Sequence, residues 1–377
     1  MQAYLLDETR AKEWNDLVEA EPSFSMMQSW EWGEVKKRLG WEAYRLAVTE
    51  GERLVAGAQV LVKRLPLGVG CLAYVPRGPF GRWSEPEVAR LLFGQIHAVA
   101  RQNRAIFLKI EPASPSSADL QSLFAELKFR PSAVTNQPCA TIVMDISPEP
   151  EKILRSMRDS TRRKIQSTER KGVVARLGSA DDLPTFYRLM QITARRAGFS
   201  LRSYEYFETE FRTFAERGNA ALFLAEHEGQ VLAAHIAYIF GRHAAFFHQA
   251  SNNEVSNLNP NCQLVWEEIK WARSKGCLTY DLWGIPDEIV PLVTAGGEPD
   301  AERTDGLWGV YRFKSGFSKN IVCYLGAMDY VYSPLLYRAL TNKFLNQNTL
   351  EKISTWLDTH TFHRMENAYG IRKMPIT

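Results

Sequence analysis

Cysteine, net charge and long hydrophobic runs are all scarce in this chain. Its five cysteines, Cys71, Cys139, Cys262, Cys277 and Cys323, form no Cys-x-x-Cys pair and are odd in number. That removes both a zinc arrangement and a disulfide framework and suits a reducing compartment. The longest uncharged apolar stretch, Leu65 to Pro76, contains two prolines and is about half of the ~18 to 20 residues a bilayer crossing needs, so no transmembrane helix is expected. The opening segment, Met1 to Asn15, carries acids early and has no apolar run of the secretory kind, which predicts a cytoplasmic protein. Forty-six Lys and Arg against 43 Asp and Glu leave +3, too little for a surface that coats nucleic acid along its whole length. Any polyanion site must therefore be local.

What is present is an ordinary globular composition, 45% hydrophobic, 11% aromatic and 24% charged, which argues against a disordered or collagen-like chain. The 377 residues are about two and a half times a typical ~150-residue domain, so two domains are expected. A faint internal repeat sharpens that expectation. Ala47 to Val62 matches Ala225 to Phe240, with Glu50-Gly51 over Glu228-Gly229, and each reads as strand, tight turn, strand. His97 to Glu111 resembles Ile269 to Trp283, and both read as an amphipathic helix running into a strand. The same order in both halves predicts a mixed α/β (α+β) architecture made of two copies of one acyltransferase-like domain. The boundary is expected near Ile146 to Pro150, where a β-rich run (Ala140 to Ile146) meets a Pro-punctuated loop, which divides the chain into 1–147 and 148–377. The second domain then opens with a basic helix, roughly Glu151 to Lys171, bearing Arg155, Arg158, Arg162, Arg163, Lys164, Arg170 and Lys171. After Pro334 a further helix pair is expected.

Several chemistries fail on inspection. Gly68-Val69-Gly70-Cys71-Leu72-Ala73 matches a dinucleotide-binding pattern formally, but a strand-like run follows where that motif needs a helix, so it reads as a hairpin turn. No phosphate loop, nucleophile elbow or H-E-x-x-H helix occurs. Arg64 lies one residue too far from Gly68-Val69-Gly70 to build the pyrophosphate loop of acetyl-CoA acyltransferases. His235, His243 and His248 lack acidic or Cys partners at ligand spacing, so they are expected to be structural, with no metal. Asp181-Asp182 sits where a helix start favours acids.

One string stands out: Gly306-Leu307-Trp308-Gly309-Val310-Tyr311-Arg312-Phe313-Lys314-Ser315-Gly316-Phe317 sets a lysine among aromatics and glycines. Read locally, it is a helix end with Gly316 as cap. Together with Gln28-Ser29-Trp30-Glu31-Trp32-Gly33, Tyr74-Val75-Pro76-Arg77-Gly78-Pro79, Ala194 to Arg202 and Tyr280-Asp281-Leu282-Trp283-Gly284-Ile285, it resembles the FemABX aminoacyltransferases of peptidoglycan synthesis. The resemblance runs over nearly the whole chain, in the compact form without a coiled-coil arm. It departs at Phe246-Phe247, where members often carry a tyrosine.

The resemblance implies two tandem GNAT-like domains facing a cleft, acceptor binding led by the first and acyl transfer by the second. It implies transfer of an amino acid (Gly, Ala or Ser) from aminoacyl-tRNA, with no cofactor, to an amino group on the stem peptide of a precursor. That precursor is either lipid II or UDP-MurNAc-pentapeptide, reached with at most a transient visit to the inner membrane face. Lys314, beside Phe313, would supply positive charge at the transfer position. Lys36 and Arg202 would clamp the acceptor diphosphate, with Ser200 and Tyr206 beside them. Arg162, Arg163, Lys164, Arg170 and Lys171 would meet tRNA phosphates, which closely spaced cations do without reading sequence. Laying Phe129 over Phe317 sets Glu126 opposite Lys314, so only the second copy carries the lysine. Two other readings stay open: an acyl-CoA-dependent N-acyltransferase of the same fold, and a catalytically idle precursor-binding scaffold.

Overall fold

The computed structural model describes residues 1–132, 134–252 and 256–341. Two mixed sheets form its frame. The first runs Gln2–Leu5, Glu42–Glu50, Arg53–Arg64, Cys71–Pro76, Ala105–Glu111, Met328–Val331, Arg130–Pro131, with Phe80–Gly81 paired to Arg53–Arg64. The second runs Ile321–Cys323, Ala140–Asp145, Thr279–Gly284, His243–Ser251, Gln230–Phe240, Ala220–His227, Val174–Leu177.

The repeat read from sequence is present as structure. Glu42–Glu50 and Arg53–Arg64 form one hairpin and Ala220–His227 and Gln230–Phe240 the other. Gly51 (φ 62), Glu228 (φ 49) and Gly229 (φ 78) supply the left-handed turn conformations that match strand twist in tight hairpins. In each half a long helix, Pro86–Gln102 or Pro260–Ser274, delivers the chain to a parallel strand: Ala105–Glu111 beside Cys71–Pro76, and Thr279–Gly284 beside His243–Ser251. The Gly68-to-Ala73 segment is the expected hairpin connection, closed by the Leu65 amide donating to the Gly70 carbonyl at 2.9 Å.

Beyond those elements the halves exchange strands. Ala140–Asp145 leaves the first half and inserts between Thr279–Gly284 and Ile321–Cys323, while Met328–Val331 returns to insert between Ala105–Glu111 and Arg130–Pro131. The two insertions occupy equivalent places, so a cut at 147 separates each sheet from a strand. Phe129 and Phe317 hold matching positions, each between a helix and a short strand beside the inserted one. One continuous buried cluster, with Trp14, Trp32 and Val35 from the first half and Phe186, Phe211 and Tyr238 from the second, joins the halves.

Two local expectations change. The basic segment is two helices, Pro150–Ser156 and Asp159–Arg170, because Met157 is extended and the Arg158 amide donates to the Gly316 carbonyl at 2.9 Å. Of the C-terminal pair, the helix Pro334–Thr341 is seen; the second expected helix lies outside the described residues.

Candidate functional site

Lys36 sits on the helix Trp30–Arg38, whose start is capped by the Ser29 hydroxyl accepting from the Trp32 amide. Trp32 and Lys36 are one turn apart and share a face. Lys36 is only 7% exposed. Its ammonium lies 4.8 Å from the Trp32 ring centre and 4.7 Å from that of Tyr206, and donates to the Tyr206 hydroxyl at 3.4 Å. Tyr206 stands in the first turn of the helix Tyr204–Ala215, capped by Ser203. The Arg202 guanidinium lies over the same ring at 4.6 Å. The structure therefore brings Lys36 and Arg202, 166 positions apart in the numbering, onto one aromatic ring. Ser200 is half-buried in the 198–203 connection that leads into this helix.

One turn beyond Tyr206, the fully buried Glu210 faces inward, with His248 Nε2 at 2.9 Å. Burial opposes its ionisation, but His248, Tyr238 and the charge of Lys36 outweigh it and hold the carboxyl below its ordinary value. A buried carboxylate thus underlies a buried ammonium.

Lys314 ends the helix Trp308–Lys314 and is 5% exposed. Its ammonium donates to the Gly284 carbonyl at 2.7 Å and lies 5.6 Å from the Phe246 ring centre. Burial pushes it down to about 7, against the pull of Asp281. Asp281 in turn is raised by burial, an effect partly offset by the Thr141 hydroxyl, the Trp283 amide and the charges of Arg77 and Lys314. Phe313 is half-buried against Phe317, ring centres 5.2 Å apart.

The Lys36 and Lys314 positions meet at one strand. A bulge in His243–Ser251, between Phe246 and His248 in its pairing to Gln230–Phe240, sends Phe246 toward Lys314 and Phe247 toward Trp32, Tyr238 and Trp283. The departure from the family's tyrosine thus falls between the two cation positions.

Gly316 has no left-handed φ and is not the cap that its place in the string suggested. A Cβ there would lie 2.2 Å from the Thr161 hydroxyl, so the glycine permits close contact between the lysine string and the basic helix. On that helix Arg163, Lys164 and Arg170 are exposed, as is Lys171 beyond it, whose ammonium reaches the Asn257 carbonyl at 2.9 Å. Arg162 is half-buried and paired with Asp159 at 2.8 Å. His235 sits against Glu268 and Asn261, and His243 against Thr279 and the Glu21 carbonyl. Asp182 closes a capping box with Ser179. An open groove of about 440 Å³, lined among others by Leu177, Phe211 and Trp271, contains none of the predicted site residues.

The FemAB family model matches residues 9–230 and 219–343. The chain belongs to the FemAB family. A lipid II:glycine glycyltransferase of Staphylococcus epidermidis is 23% identical, over 89% of this chain and 94% of that protein. The crystal structure of FemX superposes with a TM-score of 0.78 at 22% identity, covering 90% of this chain and 99% of that one. A tandem GNAT protein from the clavulanic acid biosynthesis pathway does so at 0.50 and 12%, covering 88% and 99%. The FemAB chain thus shares a tandem GNAT-like fold, as its sequence predicted. Arg77, Asp281 and Trp283 lie in motifs of the sequence but take their roles only from the folded site, and no motif marks Glu210. The available signals were an arginine before Gly-Pro and an Asp two residues before Trp-Gly.

Proposed function

We propose that this FemAB chain transfers glycine from glycyl-tRNA to an amino group on the stem peptide of a lipid-linked peptidoglycan precursor. The observation that carries the reading is the pair of buried lysines on either side of Phe246-Phe247, in a chain whose relatives include lipid II:glycine glycyltransferases. Lys36, Tyr206 and Arg202 offer a point charge, an aromatic face and a guanidinium fork to the diphosphate of the acceptor.

An aminoacyl ester is already activated, so the acceptor amine attacks its carbonyl carbon directly. The ester C–O bond breaks, the amide forms, and the tRNA 3′-terminal oxygen leaves as a hydroxyl, the proton that the amine gives up balancing the one that this oxygen gains. No protein nucleophile is needed. Holding both substrates in one site supplies much of the acceleration, an effect that reaches ~7 to 11 kcal/mol in favourable geometry. Lys314 adds positive charge where the oxyanion develops. Arg163, Lys164, Arg170 and Lys171, with Arg162 behind them, meet the tRNA backbone.

The test is transfer of radiolabel from tRNA charged with glycine, alanine or serine to lipid II or to its nucleotide-linked counterpart. Glycine on lipid II is expected. Lys314→Met should abolish transfer while leaving precursor binding intact, and Lys36→Ala and Arg202→Ala should each weaken that binding roughly tenfold or more in calorimetry. Normal turnover in Lys314→Met removes its assigned role, and no label from any charged tRNA removes the reading.

A further inference from the structure

Two residues with side chains hold left-handed backbone conformations and meet across the halves: Arg77, at φ 50, and Trp283, at φ 64. L-residues other than Gly, Asn and Asp rarely adopt that region, and the strain persists only where the surroundings enforce it. The Arg77 guanidinium lies 5.2 Å from the Trp283 ring centre and 4.4 Å from that of Tyr324, and donates to the Pro138 carbonyl at 3.2 Å. Arg77 is 3% exposed, so it is sandwiched rather than offered to solvent. Its segment is held from within its own half, where the Gln28 side-chain amide donates to the Pro76 carbonyl at 2.5 Å.

Trp283 is the turning point of a bulge. In the ladder to Ala140–Asp145 the pairing shifts between Asp281, opposite Val143, and Gly284, opposite Thr141. The Trp283 amide donates to the Asp281 carboxylate at 2.7 Å, which closes the turn. The next carbonyl, that of Gly284, receives the Lys314 ammonium. Bulges re-aim the groups that follow them, and here the re-aimed group is the acceptor that locates Lys314. Arg77 also places a positive charge facing Asp281.

We propose that Arg77 is a positioning residue of the transfer centre, holding the Trp283 bulge from the opposite half so that the Gly284 carbonyl locates Lys314. The inference rests on the reading of Lys314 as the transfer lysine. It also gives the two halves a direct connection: the segment that orders Arg77 is anchored by Gln28, just ahead of the helix that carries Lys36.

Two variants and two readouts test it. Arg77→Lys keeps the charge but loses the planar stack, and Arg77→Met keeps apolar length but loses both. Single-turnover transfer is expected to fall at least tenfold in both variants, with precursor affinity within twofold of the unmodified chain. In protein labelled with 5-fluorotryptophan, the fluorine resonance of Trp283, assigned through Trp283→Phe, should shift in Arg77→Lys while that of Trp32 stays in place. Transfer within twofold of the unmodified chain, or an unmoved Trp283 resonance, overturns the proposal. So does a matched loss of rate and precursor affinity, which a merely structural role would produce. If the unmodified chain transfers nothing, the transfer reading fails, and the fluorine resonance still decides whether Arg77 holds Trp283.

Discussion

Lys314 shows how a residue type read from a motif acquires its chemistry from surroundings that the motif does not contain. A lysine among aromatics was legible in Phe313-Lys314-Ser315-Gly316-Phe317, but its depressed pKa, about 7, comes from burial against the pull of Asp281. The sign of the consequence follows. Below about 7 the ammonium form dominates; above it the charge drains away. If Lys314 works as a cation, the single-turnover rate relative to that of Lys314→Arg, which stays charged, should fall as pH rises through the neutral range. The ratio removes the acceptor amine's own deprotonation, which raises both rates alike. A ratio that climbs through the same window would show the neutral amine at work instead. Lys36, Arg202 and Tyr206 were legible as a set only through the resemblance. Their convergence on one ring, and the buried Glu210 beneath them, depend on two helices packing together, which neither helix encodes alone.

Among the elements, the basic helix and the lysine string are coupled by a single missing side chain. With the Thr161 hydroxyl 2.2 Å from where a Cβ would stand, Gly316→Ala must turn that hydroxyl aside or push Asp159–Arg170 away from Trp308–Lys314. Overpacking of this kind costs about 1 to 3 kcal/mol. The expected result is a lower urea midpoint for Gly316→Ala and recovery of part of the loss when Thr161→Ala is added, because Thr161 Cβ, at 3.5 Å, is an ordinary contact while the Phe313 carbonyl stays close at 3.1 Å. Additive losses in that double-mutant cycle would refute the coupling. From sequence, Gly316 read as a helix cap because local rules favour glycine there. The close approach comes from a segment more than 140 positions earlier, beyond the reach of those rules. The break at Met157 has the same origin: the next amide, that of Arg158, donates to the Gly316 carbonyl. Hairpins and helix-to-strand junctions, by contrast, were legible because acid-Gly turns and apolar periodicity are local.

For the whole molecule, the exchange of Ala140–Asp145 and Met328–Val331 makes the halves structurally interdependent. A chain running 148–377 lacks the strand between Thr279–Gly284 and Ile321–Cys323. It should fail to give a cooperative unfolding transition and should lose amide protection in those two strands, whereas a chain beginning a few residues before Ala140 retains the strand. Equal protection in both would show that the second sheet closes without it. The same exchange, with the buried cluster shared by the halves, ties Lys36 and Lys314 to one packed body.

By itself the sequence determined the repeated hairpins, the helices feeding the parallel strands, and the residue types of the candidate site, because turn chemistry and side-chain periodicity act over a few residues. Only the tertiary structure decided which sheet receives each exchanged strand, that Lys36 and Arg202 share the ring of Tyr206, that Gly316 is a contact rather than a cap, and that Arg77 braces Trp283. Each of these depends on chain segments far apart in the numbering coming within van der Waals or hydrogen-bonding distance. Short-range preference cannot specify such a meeting, because its free energy arises only once both partners are buried together.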